Sequence, residues 1–232
     1  MKLTNRTSSI DFQNVAALNR IFQTDKIIRT RFSIEIPEAD MCNAIYAAML
    51  AVTASRGREF VHDTDTRNHI VKAAKWLIDP NKKPGLLLFG GVGNGKTTLA
   101  RTIVNVIDKL MEIELGYNKF PKIQFVTAKS ICDLLSGKKE KDYDKLMTAE
   151  YVVIDDLGVE PKELLLYGQP MTPLVDILAK RYDQQLFTIV TTNLGKAALE
   201  EKYGIRIYDR MCEWLQPIAF LNKSFRNINQ EQ

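Results

Sequence analysis

A glycine-rich segment near residue 90 stands between a strand-like and a helix-like stretch. Residues 90–97 read Gly-Gly-Val-Gly-Asn-Gly-Lys-Thr and match the phosphate-loop pattern of Gly, four residues and Gly-Lys-Thr without a mismatch. The apolar run at residues 86–89 predicts a buried parallel strand. Apolar residues then recur at helical spacing from Leu99 to Leu110. A strand, a glycine loop and a helix in this order predict a phosphate loop rather than an ordinary glycine-rich turn.

The phosphate loop predicts which atoms would hold a nucleoside triphosphate. Glycines let successive backbone N–H groups point into one concavity above the positive end of a helix, and such a concavity binds phosphate. Lys96 is expected to reach the β- and γ-phosphates, and the hydroxyl of Thr97 is expected to be a ligand of Mg²⁺. The predicted cofactors are therefore ATP and Mg²⁺, and the predicted binding residues are Gly90, Gly91, Val92, Gly93, Asn94, Gly95, Lys96, Thr97 and Thr98.

Two carboxylates end a second apolar stretch. The four residues Tyr-Val-Val-Ile at 151–154 are followed directly by Asp155 and Asp156. Ligands of open α/β sheets bind at the carboxyl ends of parallel strands, so a buried strand would place both side chains at the site. Asp155 suits Mg²⁺, directly or through water, and Asp156 suits a general base or water-positioning group. A surface turn is disfavoured because four apolar residues precede the pair.

Polar residues later in the chain complete the candidate site. Residues 186–192 predict a further buried strand, and Asn193 after it could hydrogen-bond the γ-phosphate or the attacking water, or simply form a turn. Arg206 and Arg210 lie four residues apart, so one face of a helix would carry both. Spacing alone does not separate these arginines from solvated surface residues.

Composition narrows the class of protein. The 232 residues could form one large domain, or one domain with a small appendage. A hydrophobic fraction of 45% suffices for a core, and a net charge of +4 permits a nucleic-acid partner without requiring one. Three scattered cysteines and the lack of any apolar window of about 18 residues predict a cytoplasmic protein with reduced thiols and no membrane partner.

The first 60 residues carry no motif. Apolar spacing predicts helices within residues 12–22 and across residues 38–53, with residues 32–36 as a short strand or an extended link. Such helices could dock a partner or serve local packing. Further predicted elements are helices at 63–77, 128–135, 171–182 and 205–211, and strands at 121–127 and 218–220.

A mixed-charge stretch at residues 136–145 allows two interpretations. Acidic and basic residues alternate there, which favours a solvated linker. The alternative is an element that faces DNA, with Tyr143 available to stack on a base.

Taken in order, the phosphate loop, the Asp-Asp strand, the Thr-Thr-Asn strand and the paired arginines resemble the AAA+ ATPases. Several short motifs resemble those of the bacterial helicase loaders of the DnaC and DnaI type, with the IstB transposition helpers as close relatives. These motifs are Ile-Asp-Asp-Leu-Gly at 154–158, Arg-Tyr-Asp at 181–183, Thr-Thr-Asn-Leu at 191–194, Tyr-Gly-Ile-Arg at 203–206, Asp-Arg-Met at 209–211 and Ser-Phe-Arg at 224–226. The resemblance covers about residues 63 to 228.

The resemblance implies an α/β P-loop NTPase fold with an AAA+ parallel sheet flanked by helices. It also implies a small helical N-terminal segment at residues 1–60 and an AAA+ ATPase domain at residues 61–232. The 22 residues after Arg210 (211–232) are too few for a full C-terminal lid, which the loader and IstB families also lack.

The same resemblance assigns residue roles. Lys96 and Thr97 match Walker A, Asp155 and Asp156 match Walker B, Asn193 matches sensor 1, Arg210 matches the arginine finger with Arg206 beside it, and Arg226 matches a sensor 2-like arginine. Many AAA+ proteins have Glu where Asp156 stands. The shorter acid withdraws the carboxylate by one methylene and predicts slow hydrolysis.

By this resemblance the protein is expected to be an ATPase that loads a replicative DNA helicase onto single-stranded DNA. The N-terminal segment would dock the helicase, and Arg206 and Arg210 would serve self-association. An IstB-like helper that acts on duplex DNA with a transposase is the alternative, and an ATP-binding switch without DNA is a third. The Arg-Tyr-Asp and Tyr-Gly-Ile-Arg motifs at 181–183 and 203–206 favour the loader.

Overall fold

The computed structural model describes residues 14–16, 31–137, 139–166 and 168–226. The chain divides into two units, residues 1–31 and 32–232, and every element below belongs to the second unit. The helix expected within residues 12–22 lies outside the described residues except for 14–16. Among the described helices, none combines the length and the apolar character needed to cross a bilayer.

Helices and strands alternate along the second unit. The elements in chain order are α1 (Glu38–Ala54), α2 (Thr64–Ile78), β1 (Gly85–Gly90), α3 (Lys96–Leu115), β2 (Gln124–Thr127), α4 (Ala128–Ser136), α5 (Glu140–Thr148), β3 (Tyr151–Leu157), β4 (Leu164–Leu166), β5 (Gln169–Met171), α6 (Pro173–Asp183), β6 (Phe187–Thr192), α7 (Lys196–Tyr203), α8 (Ile205–Trp214) and β7 (Leu215–Phe220).

Five parallel strands form the central sheet in the order β2-β3-β6-β1-β7. Only β2 and β3 are both neighbours in the sheet and consecutive among the described strands, and every pair is parallel, so each connection must cross over the sheet. The carboxyl ends of β1, β3 and β6 therefore meet at one edge. Strands β4 and β5 form a separate antiparallel hairpin. The predicted α/β class with a parallel sheet flanked by helices is confirmed.

Apolar side chains of the sheet alternate between two cores. On one face, Leu86 and Leu88 of β1 pack with α1, α2 and α3, and on the other face Leu87 packs with α4 to α8. Local signals set the helix starts. Asp63 caps α2 by accepting from Thr66 N at 2.6 Å, and a capping box of Thr127 and Ser130 begins α4.

Residues 32–60 pack with the elements that follow them. They belong to the predicted N-terminal segment 1–60, and the chain divides into its two units between residues 31 and 32. Helix α1 buries Met41, Ile45, Met49 and Val52 and shares a core with α2 and α3. An apolar helix stripe must be covered, and these helices cover it. Residues 32–36 are an extended link rather than a strand.

The mixed-charge stretch is also corrected. Residues 140–148 form helix α5, so they are not a solvated linker. Tyr143 is 5% exposed, and its hydroxyl donates to Pro173 O at 2.9 Å. A ring held in this way is not available to stack on a base. The hairpin β4–β5 and helix α7 had no prediction.

Candidate functional site

A cavity of 1020 Å³ opens at the carboxyl edge of the sheet. The phosphate loop lines it together with Asp156, Asn193 and Arg226, which sequence analysis had assigned from separate stretches. The opposite wall had not been assigned. It consists of Met49, Thr53, Arg56, Gly57, Arg58, Glu59, Phe60, Val61 and Thr66 from α1, the following loop and α2.

The phosphate loop has a backbone that only glycine adopts freely at its key positions. Gly90 has φ +143° and Gly93 has φ +80°, values that L side chains rarely adopt. A Cβ on Gly90 would lie 2.1 Å from Phe220 O, and one on Gly93 would lie 2.3 Å from Ser224 Oγ. Helix α3 begins directly after the loop, at Lys96. The loop therefore forms a concavity over a helix N-terminus, suited to anions.

Lys96 lies inside this concavity. Its Nζ donates to the carbonyl oxygens of Gly90 at 2.9 Å and Gly91 at 2.5 Å, and to Asn94 Oδ1 at 3.0 Å. Burial lowers the pKa of the Lys96 ammonium, and the nearby carboxylates of Asp156 and Asp155 partly offset this by raising it. Asn94 is itself held, since its Nδ2 donates to Phe220 O at 2.8 Å. The cation is thus positioned by the loop it serves.

Thr97 and Asp155 bring oxygen donors together. Thr97 Oγ1 donates to Asp155 Oδ1 at 2.9 Å, and Thr191 Oγ1 donates to the same oxygen at 2.6 Å. Asp155 is 4% exposed. No group of three or more His, Cys, Asp or Glu residues gathers in the described parts of the chain. Mg²⁺ in such sites takes one or two protein oxygens plus phosphates and waters, so this donor pair fits it.

Asp156 departs from regular strand geometry. Its φ is +56°, and the β3–β6 register shifts between Ile154 and Leu157. Aspartate tolerates this conformation better than most residues, and such outliers cluster at functional sites. Burial and then Asp155 raise the pKa of Asp156, while Lys96 and Arg226 lower it. The irregularity in β3 thus places the Asp156 carboxylate on the cavity wall, with a pKa above that of an ordinary Asp.

Thr191 links the Asp155 carboxylate to the backbone of Asp156, and the sequence analysis had given it no role. Its Oγ1 donates to Asp155 Oδ1 and accepts from Asp156 N at 2.9 Å. Its side chain is fully buried. The sequence contained only a Thr in a strand, and nothing local showed that this hydroxyl would bind the Asp155 carboxylate and the Asp156 backbone N–H of the neighbouring strand.

Arg206 and Arg210 lie elsewhere on the molecule. Both are on α8, and neither lines the cavity. Arg206 is exposed. Arg210 Nη2 is 3.6 Å from Asp183 Oδ1, and its guanidinium lies 5.0 Å from the centre of the Tyr182 ring. The structure therefore brings Lys96, Thr97, Asp155, Asp156, Asn193 and Arg226 together but leaves both α8 arginines outside.

Two further arginines have clear positions. Arg56 lines the cavity and its Nη1 donates to Thr98 Oγ1 at 3.2 Å. Arg181 is fully buried and donates to Thr188 Oγ1 and to backbone carbonyls, including Leu146 O. The Arg-Tyr-Asp motif at 181–183 thus begins with a residue, Arg181, that stabilises the core.

The structure is similar to several solved structures. The DnaC helicase loader is 22% identical with a TM-score of 0.53, covering 70% of this chain and 93% of that one. DnaI is 22% identical with a TM-score of 0.49, covering 81% and 95%. Domain III of the Thermotoga maritima replication initiation protein DnaA is 18% identical with a TM-score of 0.48, covering 69% and 64%.

Searches against family models and curated proteins found no match. The likeness to the DnaC helicase loader and the parallel sheet establish the α/β P-loop NTPase fold. This is the fold that the sequence resemblance predicted.

Proposed function

We propose that this protein is an ATPase that loads a replicative DNA helicase onto single-stranded DNA. The observation that carries the proposal is the convergence of Lys96, Thr97, Asp156 and Asn193 on one cavity, in a fold shared with the DnaC helicase loader. The loader role and the DNA substrate rest on the sequence resemblance as well, and they are tested directly below.

Binding would begin at the phosphate loop. The loop N–H groups and the start of α3 would receive the phosphates. Lys96 Nζ would exchange the carbonyls of Gly90 and Gly91 for β- and γ-phosphate oxygens. Thr97 and Asp155 would hold Mg²⁺, which neutralises charge on those oxygens.

Hydrolysis would depend on Asp156 and Asn193. The raised pKa of Asp156 suits a carboxylate that orients the attacking water and accepts its proton. The amide of Asn193, on the wall of the same cavity, would donate to the γ-phosphate or to that water. Arg226 would stabilise charge that develops on the γ-phosphate, because it also lines the cavity and acts on Asp156 and Lys96.

The α8 arginines would complete the site of a neighbouring subunit. Arg210 and Arg206 do not line the cavity of their own chain, so a role at the triphosphate requires a second copy. An arginine supplied in this way neutralises transition-state charge. Self-association would thus control the rate of hydrolysis.

The docking part of the proposal concerns residues 1–60. Residues 32–60 contribute to the core and to the cavity wall, so their removal would damage ATP binding as well as docking. Burial of each large apolar side chain of α1 is worth roughly 1.5–3 kcal/mol. Deletion of residues 1–31 is therefore the sharper test. We expect retained ATP affinity and lost helicase capture. Capture retained by the truncated protein would place docking on the ATPase domain.

A loading assay tests the whole proposal. The protein is mixed with the replicative helicase of its own source, circular single-stranded DNA and ATP, and the helicase retained on DNA is measured. We expect retention with ATP and its loss in Lys96→Ala. Preference for duplex DNA and capture of a transposase instead would establish the IstB-like alternative. If the protein binds ATP but neither single-stranded nor duplex DNA, the third interpretation, an ATP-binding switch without DNA, would be supported.

A further inference from the structure

A buried ionic network lies between the loop after β3 and the end of α7. Glu160 is 3% exposed, and its carboxylate accepts from Gly158 N at 2.8 Å and from the hydroxyl of Tyr203. Lys202 Nζ is 3.4 Å from Glu160 Oε1 and donates to Gly158 O at 2.7 Å and to Glu160 O at 2.5 Å. None of these four residues lines the nucleotide cavity.

One side of the network holds the loop that presents Asp156. Asp156 and Gly158 both have positive φ, +56° and +114°. Val159 N donates to Asp156 O at 3.3 Å, which closes a tight turn. Such a backbone persists only when its surroundings hold it. Glu160 and Lys202 provide this support, because they bind the N–H and the C=O of Gly158, two residues after Asp156.

The other side of the network holds the start of the arginine helix. Tyr203 ends α7, Gly204 turns the chain with φ +84°, and α8 begins at Ile205, one residue before Arg206. Burial and the hydrogen bond to Glu160 raise the pKa of Tyr203, so its hydroxyl stays a donor. One carboxylate therefore binds both the Asp156 loop and the residue from which α8 departs.

A network of this kind transmits displacement. Removing one partner of a buried ion pair leaves an uncompensated charge, so the two segments are held in one arrangement. If Tyr203 moves with α8 and keeps its hydrogen bond to Glu160, the Glu160 carboxylate moves as well. The loop after β3 then follows, because Gly158 N donates to the same carboxylate.

We propose that Glu160, Lys202 and Tyr203 are positioning residues that couple Asp156 to helix α8 of the same subunit. The inference rests on the proposed function and adds a regulatory link to it. Contact of α8 with a neighbouring subunit adjusts the Asp156 loop through Tyr203 and Glu160. A subunit that gives its arginine to a neighbour thereby prepares its own site for hydrolysis.

Tyr203→Phe tests the link with the smallest change, since it removes one hydroxyl and keeps the ring in the core. The matched control is Tyr143→Phe, which removes a buried hydroxyl that donates to Pro173 O at 2.9 Å, outside the network. ATP affinity, thermal stability and turnover at saturating ATP are measured for both. We expect unchanged ATP affinity and a 10- to 100-fold lower turnover in Tyr203→Phe, roughly the cost of an ångström-scale misplacement. Tyr143→Phe is expected to keep its turnover.

Subunit mixing separates the two roles. In the first pairing, Tyr203→Phe subunits hydrolyse ATP and are mixed with Lys96→Ala subunits, which only donate arginine. In the second pairing, subunits that carry both Tyr203→Phe and Lys96→Ala only donate arginine, and they are mixed with Arg210→Ala subunits, which hydrolyse ATP. Loss of activity in the first pairing, where the Tyr203→Phe subunit hydrolyses ATP, supports the coupling. Loss confined to the second pairing, or loss in neither, overturns it.

A stability readout excludes a merely structural effect. Equal loss of ATP affinity and turnover in Tyr203→Phe would overturn the proposal, because it would indicate general damage to the domain. Glu160→Gln, which keeps the shape of the side chain, is measured beside it and must show the same selective loss of turnover. Failure of the unmodified protein to bind ATP would reject the proposed function and the inference together.

Discussion

Lys96 and Arg210 are both cations assigned to the triphosphate, yet their surroundings are opposite. Lys96 is 5% exposed and lies within its own phosphate loop, on the carbonyls of Gly90 and Gly91. Arg210 lies on α8, outside the cavity, against Tyr182 and Asp183. The comparison separates binding from hydrolysis. On the proposed function, a single chain positions the groups that ATP binding needs, whereas Arg210 would have to reach the site of another copy.

The largest effect is expected for Arg210→Ala. If Arg210 completes a neighbour's site, ATP hydrolysis falls by roughly 10³–10⁵ while ATP affinity is unchanged. Steady-state hydrolysis is measured over a range of protein concentrations, where the unmodified protein should gain specific activity as it assembles. Asp183→Asn is the control. It breaks the ion pair within the chain, so a loss as large as that of Arg210→Ala would assign Arg210 a structural role.

Mixing Arg210→Ala with Lys96→Ala subunits sharpens the comparison further. Each variant is expected to be nearly inactive alone. A Lys96→Ala neighbour can lend its Arg210 to an Arg210→Ala subunit with an intact phosphate loop, so activity should return in the mixture. Co-assembly without any recovery would show that the arginine does not act between subunits.

Asp156→Asn is expected to retain ATP binding and to lose hydrolysis by about 10²–10⁴, as expected for removal of a general base. Asparagine tolerates the positive φ at this position, so the irregularity in β3 should persist. Single-turnover hydrolysis and an ATP titration measure the two effects separately. The exposed Asp144 on α5 supplies the control, Asp144→Asn. Unchanged turnover in Asp156→Asn would remove Asp156 from the mechanism.

Lys96→Ala is expected to weaken ATP binding by about 100-fold or more, because hydrogen bonds between charged groups contribute roughly 1.5–3 kcal/mol and the phosphates lose their nearest cation. Calorimetric titration gives the affinity, and circular dichroism checks the fold. Lys109→Ala, on the solvent-facing side of the same helix, should bind normally. Equal affinity in both variants would contradict a phosphate-binding role for Lys96.

The smallest effect is expected for Arg56→Ala. Arg56 lines the cavity and donates to Thr98, one residue from the predicted Mg²⁺ ligand Thr97. Loss of one exposed guanidinium should weaken ATP binding by about 10-fold or less. Arg67→Ala, exposed on α2 outside this cavity, is the comparison. An ATP affinity unaltered by Arg56→Ala would confine the binding site to the phosphate loop and the ends of β3 and β6.

Features carried by neighbouring residues could be predicted from the sequence. Glycines at 90, 93 and 95 before Lys96 define a loop whose shape depends on its own backbone. Apolar runs before Asp155 and Asn193 predict buried strands with these residues toward their carboxyl ends, and parallel strands present those ends at one edge of the sheet. The helix starts at Asp63 and Thr127 also depend on side chains within three residues.

Features that depend on which surfaces meet needed the tertiary structure. The apolar stripe of α1 shows that the helix is covered, but only packing shows that α2 and α3 cover it. Thr191 reaches the Asp155 carboxylate and the Asp156 backbone N–H because β6 lies beside β3. Glu160 and Tyr203 meet across 43 positions of chain. Periodicity and propensity act over a few residues, whereas each of these contacts depends on the folding of the whole sheet.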